Sequence, residues 1–164
     1  MNLTDKFNKL SKPEFISTFG NIFEKTEWIA ERCYESKPYN NPDELVSKMM
    51  KIFENSEKEK HLEILNAHPN LAVEKKLTED SKNEQKNVSL NQCNDAEFIE
   101  FKKLNEEYKK KFRFPFIIAV KGKNKEEILN SFRQRITNNI NLEFEEAKKQ
   151  VKKIANFRLD EIIK

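Results

Sequence analysis

Residues 140–159, INLEFEEAKKQVKKIANFRL, decide the fold. Ile140, Phe144, Ala147, Val151 and Ile154 step by four and three, which lines them along one face of an α-helix; a strand would alternate residue by residue. The next step on that line lands on Arg158. A guanidinium on an apolar stripe must find a partner or reach out to water, because an unpaired buried charge is costly. A salt bridge or an outward-reaching side chain at the helix end is one reading. The other is a carboxylate-binding arginine, whose planar fork matches a carboxylate bidentately.

The same periodicity recurs back along the chain. Ile128, Phe132, Ile136 and Ile140 recur at fours, with Arg135 bordering the stripe as a second candidate carboxylate ligand. Asn94-Asp95 starts a helix with Phe98, Phe101, Leu104 or Asn105, Tyr108 and Phe112 on one face, and Lys109-Lys110-Lys111 suit its C-terminal dipole. Asn41-Pro42-Asp43-Glu44 caps a helix carrying Leu45, Met49, Ile52 and Phe53, the methionines reading as core filling. Trp28, Ile29 and Cys33 form a short helix ending before Pro38, with Trp28 read as a packing residue. Ser11-Lys12-Pro13-Glu14 is a capping box that opens a helix, and Phe15, Phe19 and Phe23 recur at fours as its apolar stripe, broken near Gly20. The stripes predict an all-α fold of roughly seven to eight helices without a sheet.

One run resists this pattern. Phe114-Pro115 must end the preceding helix, and Phe116-Ile117-Ile118-Ala119-Val120 is β-like in composition. A lone strand would leave its amides unpaired, so it reads as an extended buried segment closed by Gly122 and Asn124. A second break falls in the middle of the chain. Leu62, Ile64 and Leu65 make a short helix, and Pro69 biases His68 out of helical geometry, so His68 should stand where that helix stops. With an ordinary pKa of about 6.5, such a histidine can act as acid or base near neutrality; it can equally be an incidental residue at a helix terminus. Ser81 and Glu84 have the spacing of a capping box, while Ser81, Glu84 and Gln85 together place a hydroxyl, a carboxylate and an amide within one turn. His61, among Glu57, Lys58, Glu59 and Lys60, is expected at the solvent boundary.

Composition narrows the classes. One domain spanning 1–164 is expected at this length. Just 2 Gly and 5 Pro, with 36% charged residues, favour long helices with solvated faces. The formal charge of +3 arises from 31 basic and 28 acidic side chains. They are interspersed, so no basic block points to nucleic acid. Cys33 and Cys93 are isolated, and with two histidines they lack zinc-site spacing. No apolar run approaches the ~20 residues of a membrane span. The start has no signal-peptide pattern and the end is not Ser-Lys-Leu, so the cytoplasm is the expected location.

His68-Pro69-Asn70-Leu71-Ala72, then Ser81-x-x-Glu84-Gln85-x-x-Val88-Ser89-Leu90, then Phe114-Pro115-Phe116-Ile117, and finally Arg158-Leu159, appear in this order. Together they resemble the 2-oxo-4-hydroxy-4-carboxy-5-ureidoimidazoline (OHCU) decarboxylase family, over nearly the whole chain. The chain departs from that family at Val88-Ser89, where Ala-Gly is usual, and at Arg113, where glycine is frequent. The resemblance implies decarboxylation of OHCU to (S)-allantoin in urate breakdown, and a homodimer. It implies His68 as the acid–base residue and Glu84 as acceptor for the ureido N–H groups. Pro69, Ser81, Gln85, Phe116, Ile117, Ile118, Ala119, Val120 and Arg158 would bind substrate, the 116–120 segment through its backbone. The adjacent ring C=N can take up the electron pair, so no cofactor is expected, in keeping with the absence of a Gly-rich phosphate loop or metal-ligand spacing. A silent scaffold of the same fold, or an enzyme of a related ureide, is the alternative. A nucleic-acid-binding module would need basic side chains on one face, which this chain lacks.

Overall fold

The computed structural model describes residues 2–71 and 94–163. They form eight helices: α1 (Leu3–Lys9), α2 (Lys12–Phe19), α3 (Glu27–Glu35), α4 (Pro42–Glu54), α5 (Lys58–Ala67), α6 (Asp95–Phe112), α7 (Lys125–Arg135) and α8 (Ile140–Ile163). No strand occurs among the described residues, so the all-α expectation holds. They group into two compact units: Met1–Ala67 with Lys152–Lys164, and His68–Val151.

Caps set most helix boundaries. Ser11 and Glu14 exchange hydrogen bonds at the start of α2 (3.3 and 3.0 Å), and Asn94 and Glu97 do so at α6 (2.8 and 3.0 Å). Asn41 and Asn124 accept from the N–H groups of Glu44 and Glu127 to open α4 and α7. Each such cap is worth about 1 kcal/mol. Helix α1, capped by Asn2, lies upstream of the first helix the stripes revealed, because seven residues are too short to show a period. At the end of α6, Arg113 adopts a left-handed conformation with φ 69°. That geometry suits glycine, which explains why a glycine is at home before the Phe-Pro-Phe sequence.

In the first unit the core joins Phe15, Phe19, Ile29, Cys33, Leu45, Met49 and a stacked pair, Phe23 and Phe53 (ring centroids 4.7 Å apart). His61 belongs to this core and not to the solvent boundary. It is buried on α5, its ring lies 4.9 Å from that of Phe53, and its Nε2 donates to the Phe53 carbonyl at 2.6 Å. The last carbonyls of α4 lack intrahelical donors, and the imidazole supplies one. In the second unit Phe101, Tyr108, Phe114, Phe116 and Phe132 form an aromatic core, with Phe116 stacked on Phe132 at 3.9 Å. Phe98, 41% exposed, and Ile140, 57% exposed, fall off the stripes to which spacing assigns them. Both stand in the first turn of their helices. No helix among the described residues is long and apolar enough to cross a membrane.

Candidate functional site

The second unit holds two of the segments singled out in the sequence. Helix α5 stops at Ala67, and buried His68 follows it directly, where the ring of Pro69 excludes helical geometry. Asn105, buried on α6, donates its side-chain amide to the Leu71 carbonyl at 3.0 Å and so fastens the far end of the His68–Leu71 stretch. Ser81, Glu84, Gln85 and the Val88-Ser89 departure lie outside the described residues. So does Cys93.

Phe114, Phe116, Ile117, Ile118, Ala119 and Val120 are buried without entering a helix or strand. Side chains take the place of a neighbouring strand. The Ala119 N–H donates to Gln150 Oε1 at 3.0 Å, and Arg135 Nη1 donates to the Ile117 carbonyl at 2.6 Å. Lys123 N–H closes the turn onto the Val120 carbonyl at 3.0 Å, next to Gly122, whose φ of 80° calls for glycine.

Arg135 is therefore not an open carboxylate ligand; the carboxylate it meets is its own neighbour's. Its Nε and Nη2 donate to Glu143 at distances down to 2.7 Å, and its guanidinium carbon sits 4.3 Å from the centre of the Phe116 ring. Glu143 is fully buried and accepts also from the Tyr108 hydroxyl and from Asn138 Nδ2 (3.2 Å). Burial is the main reason the Tyr108 phenol is pushed above its ordinary pKa, with the Glu143 hydrogen bond next. Gln150 also donates to Glu146 at 2.9 Å. Glu143, Ala147, Gln150 and Ile154 step by four, three and four, so two polar residues interrupting a buried helical face were a signal present in the sequence.

Arg158 belongs to the first unit. It is 3% exposed in its side chain, pairs through Nη2 with Glu24 Oε2 at 3.0 Å, and donates through Nη1 to the carbonyls of Asn21 (3.0 Å) and Ile22 (3.4 Å). Glu24, equally buried, is separated from it by 134 residues, and no local pattern marks it as a partner. Trp28 is only half-buried. It borders an open cleft of about 610 Å³ in the same unit with Ile16, Ser17, Gly20, Asn21, Lys25 and Glu27, none of them residues predicted for the site.

Comparison with known proteins bears on what this arrangement serves. Residues 8–160 match the family model described as OHCU decarboxylase. The chain is 40% identical over 159 residues to a uric acid degradation bifunctional protein of Bacillus sp. (strain TB-90), spanning 97% of this chain but 32% of that protein. It is 36% identical to a 2-oxo-4-hydroxy-4-carboxy-5-ureidoimidazoline decarboxylase of Haloferax volcanii, across 94% of this chain and 92% of the relative. Among solved structures, an (S)-allantoin synthase superposes with a TM-score of 0.81 at 28% identity, covering 100% of this chain and 54% of that one.

Proposed function

The chain belongs to the OHCU decarboxylase family, and on that premise we propose that it converts OHCU to (S)-allantoin and carbon dioxide as a carboxy-lyase of urate breakdown. The observation that carries this reading to the residues is the pairing, in one unit, of a buried histidine at a helix end with a buried, non-helical backbone segment. Family membership supports the activity; the roles below are the chemistry those residues can perform.

The carboxylate of OHCU shares its carbon with a hydroxyl and neighbours a ring C=N. Breaking the bond to carbon dioxide sends the electron pair into that C=N. The hydroxyl gives up its proton as the ring carbonyl forms, while the ring nitrogen that received the electron pair and the ureido-bearing carbon each gain one, so that one proton is drawn from solvent overall. His68 is assigned to this proton traffic, since imidazole can accept and return a proton near neutrality. Glu84 accepts from the ureido N–H groups. Pro69, Ser81 and Gln85 orient the substrate, and the Phe116–Val120 backbone binds its planar amide edges. The apolar surroundings of Phe114 and Phe116 favour neutral carbon dioxide over its charged precursor. Proton delivery to one face then yields a single enantiomer. A homodimer in the cytoplasm belongs to the same proposal, and light scattering at working concentration tests its oligomeric half.

The test is an absorbance assay on OHCU freshly made from urate by urate oxidase and hydroxyisourate hydrolase, with circular dichroism reporting the handedness of the allantoin formed. Accelerated loss of OHCU with one enantiomer formed is expected, and His68→Ala should lower kcat by about 100-fold or more. A rate equal to that of buffer would refute the activity and favour a silent scaffold or a related ureide. Full activity in His68→Ala would leave the activity standing and remove His68 from the proton step.

A further inference from the structure

We propose that Arg135 and Gln150 are positioning residues for this reaction: from one edge of the Phe114–Val120 segment they lock two peptide groups, and so present the N–H and C=O of Ile118 to the ureide on the other edge. The inference rests on the decarboxylase reading above, and deepens it by naming the backbone groups that take the substrate and what aims them.

Along an extended chain, the N–H and C=O of one residue point to the same side, and those of the next residue to the opposite side. The Ile117 carbonyl and the Ala119 N–H, two residues apart, are the groups bound by Arg135 and Gln150. That is one edge. Ile118 then turns its own N–H and C=O to the other edge, a donor and an acceptor side by side. A ureide offers the complementary pair, an acceptor carbonyl flanked by N–H donors.

The bonds on the back edge also act through the peptide groups they touch. The Ile117 carbonyl shares a peptide unit with the Ile118 N–H, so the guanidinium of Arg135 makes that N–H a stronger donor. The Ala119 N–H shares a peptide unit with the Ile118 carbonyl, so Gln150 makes that carbonyl a stronger acceptor.

The cost of the device points the same way. A buried ion pair contributes little net stability, because desolvation offsets its attraction. Here the Glu143 carboxylate, with Tyr108 and Asn138 donating to it, holds Arg135 in the one orientation that leaves Nη1 on the Ile117 carbonyl. Gln150 is aimed in the same manner, its amide nitrogen tied to Glu146 so that its oxygen faces Ala119.

Gln150→Met keeps side-chain length and removes the acceptor. Arg135→Lys keeps the charge facing Glu143 and removes the second arm that reaches Ile117. Both full-length variants would be compared with wild type for kcat and KM on fresh OHCU, well below their melting temperatures, and for inhibition by (S)-allantoin. The expected result is a KM raised about tenfold in each, with kcat within about threefold and weaker product inhibition by a similar factor. A merely structural role would lower the active fraction, and so kcat, while leaving KM and product inhibition in place. That pattern, or wild-type constants in both variants, overturns the proposal while the decarboxylase reading stands. If Gln150→Met does not fold, Arg135→Lys decides by the same criteria. A wild type that fails to turn over OHCU removes both the function and this inference.

Discussion

Arg135 in the second unit and Arg158 in the first are both buried on helices, and each divides its guanidinium between a glutamate and backbone carbonyls. They differ in reach. Glu143 is 8 residues from Arg135, across the short connection between α7 and α8, whereas Glu24 is 134 residues from Arg158. The near pair is set by the local geometry of one helical hairpin, and what it adds is a grip on Ile117. The distant pair joins the C-terminal part of α8 to the turn after α2, closing a unit built from two ends of the chain. One arginine aims a segment; the other ties the chain together.

The largest test of this contrast removes each glutamate. Glu143→Leu and Glu24→Leu should each cost about 3–5 kcal/mol in urea unfolding, because each leaves a buried guanidinium without its counter-charge. Their local signatures should separate. Hydrogen exchange should accelerate around residues 114–120 in Glu143→Leu and around 152–163 in Glu24→Leu; equal loosening of both segments in both variants would break the comparison. Adding Arg135→Met to Glu143→Leu should restore most of the lost stability, since the orphaned charge is gone, but should not restore the KM for OHCU.

A smaller effect sharpens the near pair. Tyr108→Phe should cost about 1–2 kcal/mol at neutral pH by deleting a buried hydrogen bond to a charged acceptor. The sign of its pH dependence follows from burial, which raises the folded-state pKa of the phenol above its unfolded value. The contribution is complete below the unfolded pKa of about 10 and is lost as pH rises beyond it. An alkaline stability curve should therefore fall less steeply in the variant. Smallest is Arg113→Gly, expected to raise stability by about 1 kcal/mol in thermal unfolding, because φ 69° penalises a side chain. No change, or a loss, would mean that the arginine side chain compensates its backbone strain.

Sequence alone determined the described helices from α2 onward, since caps such as Ser11, Asn41 and Asn94 and stripes such as Ala147–Val151–Ile154 act over one or two turns. It also placed His68 at a helix end, because Pro69 acts on its immediate neighbour, and it identified 116–120 as a buried segment outside the helices. Tertiary structure decided who satisfies whom. His61 looked solvent-facing among its charged neighbours, yet it caps the end of α4 from within the core. Arg135 looked like a ligand for an incoming carboxylate, yet it holds Glu143 and Ile117. Glu24 could not be paired with Arg158 across 134 residues by any local rule. Periodicity and capping are short-range and written in adjacent residues. The partner of a buried charge depends on which distant atoms the packed chain brings to it.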